Sequence, residues 1–205
     1  MARICIFGDS IAFGRADTEL MGWVARLQLD FSRNPKTTDY RIFNLGVDGD
    51  TTADLIVRMQ IETSSREPEI IIIAIGINDS RYIEKEGHME TPIDQFKTNL
   101  KKILKIAKSA TNSIAFVGLT PIDENETMPI PWKTDLFYTA ENMKIYNSVL
   151  EKFCTDNKVD FISMENIVLI NELTDGLHPN SEGHKKMAER IKNHLLTKLY
   201  AHANR

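Results

Sequence analysis

The sequence predicts an α/β protein built on a five-stranded parallel sheet, and three observations lead there. Five short β-rich runs alternate with helix-length amphipathic stretches, which is the signature of βαβ units. The central run, residues 70–75, is apolar throughout, as expected of a strand with helices packed on both faces. The 205 residues, 42% of them hydrophobic and 26% charged, suit one domain spanning 1–205.

In chain order, the strands are expected at residues 3–7, 41–45, 70–75, 114–118 and 160–163. Thr91 offers a helix N-cap and Pro92 a first helical residue. From there Ile93, Phe96, Leu100, Ile103, Leu104 and Ala107 recur at helical spacing. Lys97, Lys101, Lys105 and Lys108 fall on the opposite, solvated side. Two more helices are expected at 139–157 and 181–202, the basic residues of the last serving solvation. Residues 80–91 and 121–138 do not fit the alternation, and loops of that length in a compact domain are often functional. No interdomain linker or internal repeat stands out.

Composition excludes several classes. Acids exceed bases, 29 to 25, for a net charge of −4, so nothing suggests nucleic-acid binding, which usually leaves a basic excess. The longest apolar run is far short of the roughly 20 residues that span a bilayer. The opening MARICIFGDS lacks the apolar core of a secretory signal. Cys5 and Cys154 are expected as buried thiols, and with no CxxC spacing they point to a reducing, cytoplasmic setting.

Ligands of an open parallel sheet bind beyond the carboxyl ends of its strands. Gly8-Asp9-Ser10 follows the first strand, 46–51 the second, Gly76-Ile77-Asn78-Asp79 the third, and Asp175-Gly176-Leu177-His178-Pro179 the fifth. A serine hydroxyl is a weak nucleophile until a base takes its proton. His178 is the expected base, and Asp175, three residues earlier, can hold Nδ1 and leave Nε2 for Ser10. The oxyanion of acyl transfer needs fixed donors, and the candidates are the Ser10 N–H, the Gly49 N–H and the Asn78 amide. Each residue alone has a plain explanation as a cap or turn; the convergence of all of them on one edge does not.

At these motifs the chain resembles the SGNH superfamily of GDSL lipases and esterases. Gly8-Asp9-Ser10-Ile11 matches the first block, with Ile for the usual Leu, and residues 44–52 match the second. Gly76-Ile77-Asn78-Asp79 and Asp175-Gly176-Leu177-His178-Pro179 match the third and fifth blocks. The resemblance implies a three-layer α/β/α sandwich with a flavodoxin-like sheet, Ser10 as nucleophile, and Gly49 rather than Gly46 as the oxyanion glycine. It also implies hydrolysis of an ester, thioester or O-acetyl group, with no metal and no organic cofactor.

The expected partner is therefore a small acyl ester. Asp9, Trp132 and Phe137 are expected against the substrate, with Trp132 and Phe137 on an apolar wall suited to short acyl chains. Three other readings compete. They are an acyltransferase using the same acyl-Ser10, a metal-dependent phosphoesterase built on Asp9, Asp79, Asp175, His178 and His184, and a non-catalytic binding module.

Overall fold

A computed structural model describes residues 2–203. Along the chain the strands are β1 (Ala2–Gly8), β2 (Tyr40–Gly46), β3 (Ile70–Ala74), β4 (Tyr82–Ile83), β5 (Ile114–Val117), β6 (Leu136–Phe137) and β7 (Asp160–Ile162). The helices are α1 (Ser10–Phe13), α2 (Gly22–Arg33), α3 (Thr52–Arg66), α4 (Ile93–Lys108), α5 (Glu124–Thr127), α6 (Ala140–Asn157) and α7 (Ser181–Ala203). Five strands form one parallel sheet in the order β2-β1-β3-β5-β7, the flavodoxin-like arrangement.

The two-residue repeat of the strands divides the core. Ile4, Ile6, Ile70, Ile72 and Val117 face one side, where Trp23, Val24 and Leu27 of α2 and Met187, Ile191 and Leu195 of α7 cover them. Cys5, Phe7, Ile71, Ile73 and Phe116 face the other, under Leu55 and Met59 of α3, Phe96, Leu100 and Ile103 of α4, and Leu150 and Phe153 of α6. A run of isoleucines thus feeds both cores, so β3 shows no polar alternation at all. Both cysteines are free and buried, and burial pushes their thiols up to about 11 for Cys5 and about 12 for Cys154.

Helix α4 buries the apolar stripe read from its spacing. Its start differs by one residue from the expected one. Pro92 stands at the cap position, and Thr91, one place earlier, is buried and hydrogen-bonds Asp79 instead of capping the helix. Helix α3 carries a capping box that the periodicity did not mark. Thr51 Oγ1 accepts from the Asp54 N–H, and the Asp54 carboxylate accepts from the Thr51 N–H at 2.9 Å. The two irregular segments turn out to be partners: β4 from the first pairs antiparallel with β6 from the second. Among the described residues no helix is long and apolar enough to cross a membrane.

Ile72 is fully buried on the central strand. Truncating it should leave a cavity that neighbouring parallel strands cannot collapse around. Ile72→Ala is expected to lower the unfolding free energy by about 2–5 kcal/mol in denaturant titrations, with an unchanged m-value.

Candidate active site

The site begins with strand register. Gly8 lies level with Gly46 on one side and Ala74 on the other. The chain therefore leaves β1, β2 and β3 at neighbouring points and at one height. After β1, Asp9 is extended and its Oδ1 accepts the Ile11 N–H at 2.9 Å, which starts α1 one residue later. Ser10 opens that helix, so its own N–H has no intrahelical acceptor.

The histidine arrives from the far edge of the sheet. After β7 the chain folds back, and the 175–178 turn is fixed by a bridge between Leu173 and Pro179. The Gly176 carbonyl also accepts the Asp123 N–H at 2.9 Å. Gly176 has φ +77°, and a Cβ there would lie 2.6 Å from that of Glu126, so the turn requires glycine. His178 Nε2 stands 2.9 Å from Ser10 Oγ, and its Nδ1 stands 2.7 Å from Asp175 Oδ2. Asp175 Oδ1 accepts the N–H groups of Leu177 and His178 at 3.1 and 2.8 Å. Burial works to raise the Asp175 pKa, but the His178 ring and those two N–H groups outweigh it and hold the carboxyl below its ordinary value.

Three donors border the same cleft as Ser10 Oγ: the Ser10 N–H, Gly49 and Asn78. Gly49 has φ +82° with open space where a Cβ would stand, so glycine here serves the turn rather than a close approach. Gly46 is no alternative, because its N–H donates to Asn44 Oδ1 at 3.0 Å. Asn78 is buried in the short 3₁₀ turn after β3, and its Nδ2 donates to the Asp50 carbonyl at 2.9 Å.

Groups without a sequence signal hold these loops together. Asp79 is buried and accepts the Thr52 N–H at 2.9 Å and the Thr52 hydroxyl, tying the loop after β3 to the start of α3. Arg58 reaches Asp50 at 2.8 Å and the Gly8 carbonyl at 3.1 Å, tying the first loop to the second. Asp79 belongs to the Gly76-Ile77-Asn78-Asp79 block, but nothing in that block announces this structural task, and Arg58 lies on no motif.

The cleft has a volume of about 760 Å³, and Arg15, Asp48, Lys133, Ile130, Leu136 and Leu177 complete its walls. Trp132 is half exposed on its rim, with its ring 5.7 Å from that of His178. Two expected substrate contacts are placed elsewhere. Asp9 is buried as the cap of α1, not in the cleft wall. Phe137 sits on β6 between Leu136 and Tyr138, and strand alternation turns those two neighbours, not Phe137, into the cleft. The five residues of the metal-centre alternative do not assemble into a ligand group among the described residues. His184 has both nitrogens engaged, Nδ1 accepting the Trp23 N–H at 3.3 Å and Nε2 bonded to the Arg15 carbonyl at 2.9 Å.

A three-layer α/β/α scaffold carries the hydrogen-bonded chain Ser10–His178–Asp175 at the carboxyl edge of its sheet, and the class it defines is that of α/β esterases. The chain belongs to the GDSL-like lipase/acylhydrolase family, whose family model matches residues 6–186. It is similar to "Esterase TesA" of Pseudomonas aeruginosa, 22% identical over 92% of this chain and 85% of that protein. It is likewise similar to "Acetylxylan esterase" of Geobacillus stearothermophilus, 22% identical over 76% of this chain and 68% of that one. Among solved structures, the acetyl xylan esterase AlAXEase matches with a TM-score of 0.74 at 21% identity, covering 93% of this chain and 98% of that one. The Axe2-H194A mutant of the Geobacillus stearothermophilus acetylxylan esterase gives 0.71 at 19% identity, covering 93% and 92%.

Burial, reinforced by the charges of Asp79 and Asp50, pushes the Asp9 pKa from 3.8 up to about 7. A raised carboxyl binds its proton more tightly when folded, so its stabilising contribution is present at low pH and lost as pH rises through that interval. Asp9→Asn keeps a capping oxygen and removes the titration. The stability difference between Asp9→Asn and wild type should move in favour of the variant between pH 4 and pH 7, measured by denaturant unfolding at each pH. A pH-independent difference would show that Asp9 is ionised in the folded protein throughout.

Proposed function

We propose that the protein is a serine esterase that works through an acyl-Ser10 intermediate on short-chain carboxylic esters. The observation that carries this reading is the unbroken chain from Ser10 Oγ to His178 Nε2, 2.9 Å, and from His178 Nδ1 to Asp175, 2.7 Å. Oγ attacks the ester carbonyl as Nε2 takes its proton, and Asp175 stabilises the resulting imidazolium and fixes its orientation. The tetrahedral oxyanion is held by the N–H groups of Ser10 and Gly49 and by the Asn78 amide. Collapse expels the alcohol, which leaves with the proton from His178. Water then enters, His178 takes its proton, and the same steps in reverse release the acid.

The cleft favours a small acyl group. Its apolar lining is limited to a few side chains, chiefly Ile130, Leu136, Leu177 and the Trp132 ring, while Arg15, Asp48, Asp54 and Lys133 give it a charged rim. A long acyl chain would find little apolar cover beyond these few side chains. The naming of similar proteins as acetylxylan esterases fits an acetyl-sized donor.

Three measurements test this reading. Asn78→Ala should lower kcat by roughly 10²–10³-fold with a much smaller change in KM. Across p-nitrophenyl esters of graded length, kcat/KM should be highest from acetyl to hexanoyl and fall beyond. Each CH₂ that finds a pocket gains about 0.8 kcal/mol, so a steady rise through dodecanoyl would contradict the small-acyl site. Trp132→Ala should change the chain-length preference if that ring is the acyl wall.

A further inference from the structure

Two buried side chains beside Asn78 on the cleft wall, Arg81 and Tyr138, have no place in the steps just described. Arg81 Nη1 donates to Asn78 Oδ1 at 3.1 Å and to the Tyr138 hydroxyl at 3.1 Å. The Tyr138 hydroxyl in turn donates to Asn78 Oδ1 at 2.7 Å. The three groups close a triangle on one oxygen. We propose that Arg81 and Tyr138 are positioning residues that lock the Asn78 carboxamide with its N–H toward the cleft and polarise it for the oxyanion. The inference rests on the assignment of Asn78 as an oxyanion donor.

A carboxamide needs such a lock. Its last torsion has a broad, roughly two-fold profile, so the oxygen and nitrogen ends exchange at little intrinsic cost. Here Oδ1 meets two donors while Nδ2 meets the Asp50 carbonyl at 2.9 Å. The flipped amide would set its NH₂ against a guanidinium that cannot accept and its oxygen against a carbonyl that cannot donate, losing the Arg81 and Asp50 bonds. One Nδ2 hydrogen is used on Asp50, which leaves the second for the cleft. The guanidinium behind Oδ1 also draws electron density through the amide and strengthens that remaining donor, because charge-assisted hydrogen bonds in a dry setting polarise their neighbours.

The two residues are themselves held, and from different segments. Arg81 is anchored by Glu90, which accepts from Nε and, at 3.0 Å, from Nη2. Tyr138 is fixed by its backbone: its N–H donates to the Thr127 carbonyl at 3.0 Å and its carbonyl accepts the Thr127 hydroxyl at 2.9 Å. The β4–β6 ribbon, in which Tyr82 pairs with Phe137 and Ile83 with Leu136, sets these segments in register. The ribbon thereby gains a purpose, to bring the Tyr138 hydroxyl to Arg81 and Asn78. Burial raises the Tyr138 pKa, which keeps the phenol a donor at alkaline pH.

The test is a double-mutant cycle on p-nitrophenyl acetate with Tyr138→Phe, Arg81→Met and Asn78→Ala. Tyr138→Phe and Arg81→Met should each lower kcat roughly tenfold with KM little changed. Binding of phenylboronic acid, whose Ser10 adduct carries an oxyanion-like hydroxyl, should weaken by a similar factor. In the Asn78→Ala background both losses should vanish, since no amide is left to orient. Losses that multiply with that of Asn78→Ala, or a kcat for Tyr138→Phe equal to wild type, would overturn the inference. Tyr138→Phe keeps the ring and its packing, so it carries the test even if Arg81→Met does not fold. Ser10→Ala distinguishes the two levels. If it stays active, the acyl-enzyme reading itself fails; if it is inactive while Tyr138→Phe is normal, only the positioning role fails.

Discussion

The site depends on a fixed register at the carboxyl end of the sheet. With Gly8 level with both Gly46 and Ala74, three loops depart from adjacent strands at one height, and Ser10, Gly49 and Asn78 follow within a few residues of those points. A one-residue slip would exchange side chains between two differently packed cores, so the packing that stabilises the sheet also aligns the donors. The precision of the polar groups is inherited from apolar burial on both faces. Local hydrogen bonds then refine it, through Arg58 between the first and second loops and Asp79 between the second and third.

This arrangement gathers carboxylates in a poorly solvated place. Asp9 and Asp79 are almost fully buried, and burial raises them to about 7 and about 6. Each is kept because it performs a structural task, capping α1 in one case and joining two loops in the other. Asp175 contrasts with them. It remains partly open to solvent and accepts from an imidazole and two backbone N–H groups, so it stays ionised and suited to a protonated His178. One small region thus holds carboxyls pushed in opposite directions by environment alone.

Much of this was legible in the sequence because it is written in short-range patterns. The isoleucine run gave β3, the stripe Phe96, Leu100, Ile103 and Leu104 gave α4, and small polar clusters after four of the five strands marked the edge where Ser10 and His178 meet. What escaped depends on long-range geometry. The antiparallel ribbon joins two-residue strands more than fifty residues apart, too short to show alternation. Arg81 and Tyr138 meet at Asn78 only through that ribbon. Phe137 was expected on the apolar wall, yet the alternation along β6 decides which of three successive side chains enters the cleft. Asp9 beside the serine looked placed for substrate, while its oxygen is used by the Ile11 N–H.

The central claim is that Ser10 is the nucleophile, and its covalent capture tests that most directly. The protein would be titrated with a fluorophosphonate, with residual p-nitrophenyl acetate hydrolysis followed in parallel and the adduct located by peptide mass spectrometry. The account predicts one adduct per chain on Ser10, loss of activity in proportion to labelling, and no adduct in Ser10→Ala. An adduct on a different residue that tracks the loss of activity, or full activity in protein quantitatively modified at Ser10, would contradict it.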